Sequence, residues 1–117
     1  MQNRPTAAEL AEAVRSFLEE EIGPGLQDPR LRFRALVAAN ALSILGRDLL
    51  LGEELLREEV ELLSVLLGVR GDARSLNEEL CRRIRRGDPP AGTLPTLRRI
   101  AELKLRIASP RYLEGGQ

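Results

Sequence analysis

The sequence predicts an all-α fold, a single domain over residues 1–117 built as a bundle of about five helices around a buried central helix. Three observations lead there. Leucine occurs 23 times against three aromatic residues, Phe17, Phe33 and Tyr112, so the core is aliphatic, and unbranched Leu with Ala suits helices. No run of β-branched residues reads as a strand. Residues 29–51 form a stretch apolar on nearly every side: at 100° per residue Leu31, Ala35, Ala38, Leu42, Leu45 and Leu49 share one face, and Phe33, Leu36, Val37, Ile44 and Leu51 share the opposite one. A helix of that kind is expected between other helices.

The elements follow in order. Thr6 and Glu9 have the spacing of a capping box, opening a first helix that runs to Glu21 or Ile22 with Leu10, Val14, Phe17, Leu18 and Ile22 as its stripe. Gly23-Pro24-Gly25 stops it. Asp28 as cap and Pro29 as first helical residue open the central helix. Continued without a break to Leu67 it would extend ~58 Å at ~1.5 Å per residue, so a turn is expected at Gly52, preferred to Gly46 because Glu53 and Glu54 suit a new helix start. A third helix over 53–67 then carries Leu56, Val60, Leu63 and Leu67 inward, widened by Leu55, Leu62 and Leu66. After a polar connection over 68–74, Ser75 and Glu78 repeat the capping-box spacing, and Leu76, Leu80 and Ile84 face inward until Gly87. A stiff Pro- and Gly-rich loop follows to Thr93. The last helix begins at Pro95 or Thr96, buries Leu97, Ile100, Leu103 or Lys104, and Ile107, and ends at Ser109-Pro110.

Charge and composition exclude several classes of function. The formal charge is zero, yet residues 1–68 hold 12 acids and 7 bases while residues 69–117 hold 6 and 11, so the halves carry −5 and +5. Opposed halves can pair within one chain or between two, and the neutral total leaves no footprint for nucleic acid. Without histidine and with one cysteine, zinc sites, histidine-based triads and intrachain disulfides are out, so no metal, no cofactor and no catalytic residue is expected. The absence of a signal-like N-terminus and of an apolar run near ~20 residues leads to the expectation of a cytoplasmic protein that does not engage a membrane.

Asn40, Ser43 and Arg47 stand at i, i+3 and i+7 on the second face of the central helix, the best candidate site. They read either as the polar floor of a groove that orients a ligand or a partner's backbone, or as side chains satisfied by neighbouring helices. Arg82, Arg83, Arg85 and Arg86, with Arg98 and Arg99, read as a phosphate-binding patch or as a solvated, dipole-stabilised helix end. Cys81, at the edge of the Leu80–Ile84 stripe, reads as a buried thiol. The runs Glu19-Glu20-Glu21, Glu53-Glu54 and Glu58-Glu59-Glu61 lack the spacing of a calcium or di-iron site and read as solvated faces. Arg70-Gly71-Asp72, a chance-level adhesion tripeptide, carries no function.

Four segments, RPTAAELAEAVRSFLEEEI, FRALVAANALSILGRDL, LNEELCRRIRRG and LKLRIASPRYL, give the chain a resemblance over almost its whole length to a family of small bacterial helical proteins of unknown function. The combination of an opening RPTA, a central VAANAL and a closing SPRYL carries the likeness. Members are commonly encoded beside acyl-CoA dehydrogenases and kinase-like phosphotransferases, which implies a place near acyl-CoA metabolism. The family's motifs fall here on Arg4, Asn40, Arg111 and Tyr112, which join Ser43 and Arg47 as candidate contacts. The resulting expectation is a non-catalytic accessory protein that binds such an enzyme and forms a homodimer. The alternative is a module holding an acyl-CoA-like ligand beside the central helix.

Overall fold

The computed structural model describes residues 4–115 and contains helices and no strand among them. Its elements are α1 (Ala7–Ser16), a π-helical segment (Phe17–Ile22), a 3-10 turn (Gly23–Gly25), α2 (Pro29–Leu67), α3 (Ala73–Arg85), α4 (Thr93–Ala108) and α5 (Pro110–Gly115). The all-α class and a central helix opening at Pro29 are as the sequence predicts. By internal contacts the chain divides into two compact units, Met1–Leu51 and Gly52–Gln117.

In the first unit the capping box forms as read. The Thr6 hydroxyl accepts from the Glu9 N–H at 3.1 Å, and the Glu9 carboxylate accepts from the Thr6 N–H at 2.8 Å. The helix then loosens into the π segment, closed by the Gly23 N–H donating to the Leu18 carbonyl. A Cβ on Gly23 would lie 2.9 Å from that same oxygen, so glycine is what lets the chain close there. Asp28 caps α2 through its carboxylate, which accepts from the Arg30 N–H at 2.9 Å, and Arg32 donates from Nε to the Leu26 carbonyl at 3.0 Å.

The expected turn at Gly52 is absent: α2 runs through both Gly46 and Gly52 for 39 residues. A single helical Gly costs about 1 kcal/mol against Ala, whereas a turn would break several ladder hydrogen bonds. Neither position has a proline beside it to force that loss. Glu53 and Glu54 are good helix-interior residues as well as good starters, so they could not decide the question.

In the second unit Gly68 closes α2, with φ of 73° and an N–H donating to Ser64 at 2.8 Å. The next helix starts earlier than the Ser75 box implied. Asp72 is the cap, its carboxylate accepting from the Ser75 N–H at 2.8 Å, so the tripeptide dismissed as chance contains a structural residue. At the far end Gly87 (φ 76°) completes a Schellman motif, Asp88 N–H to Arg83 and Gly87 N–H to Ile84, both at 3.0 Å. α4 also begins early, at Thr93, because Pro95 falls in the first turn, where a missing N–H breaks no bond. Pro110 ends nothing beyond α4: it starts the short α5.

The core of this unit gathers Leu63 and Leu67 of α2, Leu76 and Leu80 of α3, and Ile100 of α4, bordered by Val60, Leu62 and Leu66. Leu55 and Leu103 are buried too, so Leu103 rather than Lys104 turns inward, while Leu56, Ile84 and Leu97 lie exposed against expectation. The buried row of α2 is 55, 59, 63 and 67, which includes Glu59.

Two glycine substitutions report on this backbone. Gly46→Ala, with open space around the added Cβ, is expected to raise stability by about 0.5–1 kcal/mol. Gly87→Ala, forced into a left-handed conformation, is expected to cost about 1–2 kcal/mol. Urea denaturation checks both, and a loss at position 46 would mean that the chain bends there.

Candidate functional site

Asn40, Ser43 and Arg47 share one face of α2 in the first unit, as their spacing requires. Asn40 is exposed, whereas Ser43 and Arg47 are half-buried, and Arg47 has an interaction partner. Arg4 is exposed and donates from Nη1 to Glu9 at 2.8 Å, reinforcing the cap of α1. Arg111 and Tyr112 belong to the second unit, on α5, both exposed, with the Tyr112 N–H donating to the Ser109 carbonyl at 3.0 Å.

The surroundings of these residues are more informative than the residues themselves. In the first unit the only buried positions among the described residues are Ala11, Gly23 and Ala39. On α2 this leaves both apolar faces largely open: Leu31, Leu45 and Leu49 on one, Phe33, Leu36 and Val37 on the other. Phe33 is 67% exposed and Val37 51%. Cover on every side, expected for residues 29–51, is therefore found only on the ridge around Ala39. One helix and its π extension can shield no more than one side of a neighbouring helix, and among the described residues the first unit adds only a 3-10 turn and a short loop. α1 itself leaves Leu10, Val14 and Phe17 exposed. By length and composition alone, an 18-residue window of α2, with mean hydropathy 1.4, is apolar enough to cross a membrane.

The second unit holds a buried polar knot that the sequence reading missed. Glu59, 7% exposed, accepts from Asn77 Nδ2 at 3.0 Å and from Lys104 Nζ at 3.2 Å, joining α2, α3 and α4. Asn77 also donates to the Ala73 carbonyl at 2.8 Å. The reading of Glu59 as a solvated face is thus corrected. The only lysine of the chain was the available signal, since its mobile ammonium can reach a carboxylate beside a packed stripe. Arg99 bonds Glu58 through Nε and Nη2 at 3.1 and 2.8 Å, a second α2–α4 tie that raises the Arg99 pKa.

The arginines of α3 are partly spent. Glu79 accepts from Arg83 at 2.8 Å and from Arg82 at 2.8 and 3.0 Å, and these hydrogen bonds hold its carboxyl below the usual carboxylate range. Cys81, expected buried, is exposed, because it stands a helical step of about 100° beyond Leu80. Where α2 ends, a cleft of about 460 Å³ opens between Val60, Ser64 and Val65 and the 68–71 turn, with Glu61 and Arg70 on its wall. Neither Asn40, Ser43 nor Arg47 lines it. Among the described residues no group of acids and cysteine is arranged to hold a metal.

Asn77→Ala is expected to cost about 1.5–3 kcal/mol, the worth of a hydrogen bond to a charged group, in thermal denaturation at pH 7. Asp72 gives a pH signature. The Ser75 backbone N–H, and then its side chain, lower the Asp72 pKa, so its cap contributes fully above about pH 4 and is lost as pH falls through the folded-state value. Asp72→Asn should flatten that part of the stability–pH curve, and an unchanged acid limb would show that the cap is not formed.

Compared with known proteins, the chain matches no curated protein and no solved structure. Residues 24–112 match a domain family. That span starts beyond α1 and covers α2 to α4 and the first turn of α5, including both open faces of α2. By this match over most of its length, the chain belongs to the family described as Domain of unknown function (DUF6285).

Proposed function

We propose that this chain is a helical interaction protein without chemistry of its own, which receives a protein partner on the second face of α2, around Phe33, Leu36, Val37 and Asn40. The exposure of Phe33 and Val37 supports the reading. A chain with only two phenylalanines leaves one of them two-thirds in water, on a helix whose neighbours on that face are also apolar. Contiguous apolar surface of this kind marks interaction sites, and an aromatic anchor beside an amide and a guanidinium is the mixture that protein interfaces favour. Asn40, with no neighbour burying it, is free to pair with a partner's backbone at the edge of the patch.

A membrane is the poorer occupant. Arg47 and Asp48 lie inside the apolar stretch, with Arg34 at its edge, and each charge carried into a bilayer costs up to about 2.5–3.5 kcal/mol, the value at its centre. The proposed setting is therefore the bacterial cytoplasm. The family resemblance suggests the partner class to test first, an acyl-CoA dehydrogenase or a kinase-like phosphotransferase.

Affinity capture from a lysate of the native host, with wild type and Phe33→Glu/Val37→Glu compared at equal helicity, tests this. Wild type should recover such an enzyme, and the double variant should bind it at least thirty-fold more weakly, the loss expected of a hot spot worth about 2 kcal/mol. Equal binding by both would place the contact elsewhere. Recovery of nothing by wild type would refute the reading.

A further inference from the structure

We infer that the opposite face of α2 is the seam of a homodimer in which two copies of the helix pair antiparallel about a twofold axis near residue 40. This goes beyond the partner reading and uses different residues. Leu31, Ala35, Ala38, Leu42, Leu45 and Leu49 are spaced 4, 3, 4, 3 and 4 apart, an unbroken a/d repeat of the coiled-coil type over about 27 Å. Leu31, Leu45 and Leu49 are open in the single chain, 45%, 47% and 47% exposed, and Ala38 is exposed with them, while Ala35 and Leu42, on the side toward Ala39, are half-buried.

The order of large and small residues identifies the occupant. Laid antiparallel, residue i faces residue 80 − i of the second copy, so Leu31 meets Leu49, Ala35 meets Leu45, and Ala38 meets Leu42. Each alanine receives a leucine, and the two helices can approach closely without a void. A parallel pairing would set Ala35 on Ala35 and Ala38 on Ala38, leaving two underfilled layers. The stripe is thus complementary to itself in one direction only.

Charge points the same way. The flanking positions on one side are Arg32, Ala39 and Gly46; Arg32 is tied to Leu26 and Ala39 is buried, so the chain itself covers that flank. The open flank carries Arg34, Ala41 and Asp48, and Arg34 and Asp48 are exposed without an ion-pair partner among the described residues. In the antiparallel register Arg34 lies between the Leu31–Leu49 and Ala35–Leu45 layers, the same interval that holds Asp48 of the second copy. Symmetry makes the pair twice. Ala41 then falls beside its own symmetry mate.

Sedimentation velocity over a concentration series, joined to charge swaps and cysteine cross-linking, tests the arrangement. Wild type should sediment at twice the chain mass. Arg34→Asp and Asp48→Arg should each weaken self-association at least tenfold by setting like charges together, and the double swap should restore it. In a Cys81→Ala background, Ala41→Cys should form a disulfide-linked dimer under mild oxidation, and Leu31→Cys should not. Phe33→Glu/Val37→Glu should leave the dimer intact, which separates a failure here from a failure of the partner reading. A wild-type monomer at all concentrations, a double swap that does not rescue, or cross-linking at position 31 instead of 41 would overturn the proposal.

Discussion

An unbroken hydrogen-bond ladder from Pro29 to Leu67 sets the conditions for everything else in this chain. It makes one helix of two stretches with different surroundings. Residues 55, 59, 63 and 67 form a row that α3 and α4 cover, with leucines sealing it and a carboxylate bridged to both helices. Within the first unit, residues 31–49 have α1 and its π extension for cover, and two apolar faces stay largely open. Exposed apolar area is costly in water in proportion to its extent. Such a stretch is most stable with further cover, and the pattern of its side chains says of what kind.

Much of the fold could be read from local chemistry. The Thr6–Glu9 box, the Asp28-Pro29 start and the Gly87 stop each depend on a few adjacent residues whose hydrogen-bonding options are few, and each forms as read. Where two signals competed, local chemistry was insufficient. Ser75 and Glu78 have the spacing of a cap, but Asp72, three residues earlier, offers a stronger acceptor and takes the role. Gly52 followed by two glutamates resembles a boundary, yet strong helix formers on both sides carry the ladder across it. Glu59 reads as solvated in the sequence, and a carboxylate is expensive to bury. Lys104 and Asn77, 45 and 18 residues away in sequence, offset that cost, and no local pattern reveals them. Moving Glu59 inward shifts the stripe to Leu55 and leaves Leu56 exposed.

The candidate surface was legible in a different sense. Periodicity tells which residues share a face: Asn40, Ser43 and Arg47 align, and the two apolar stripes separate, as the sequence implies. It does not tell which face a neighbouring helix will cover. The stripe that looked like core is open, as is the stripe bearing Asn40, and cover lies along the ridge of small residues around Ala39. Arg4 illustrates the same limit, since its place beside Glu9 shows a capping role that a motif alone does not disclose. Membership of the DUF6285 family, whose match includes α2 from its first residue, puts these faces inside the shared domain.

The central claim is that the two stretches of one helix depend on different sources of burial. Residue-resolved amide hydrogen exchange across a range of protein concentrations tests it most directly. Amides of residues 59–67 should exchange at the same slow rate at every concentration, because their cover comes from their own chain. Amides of residues 35–45 should be weakly protected in dilute solution and gain protection as concentration rises. Equal and concentration-independent protection in both stretches would contradict the account.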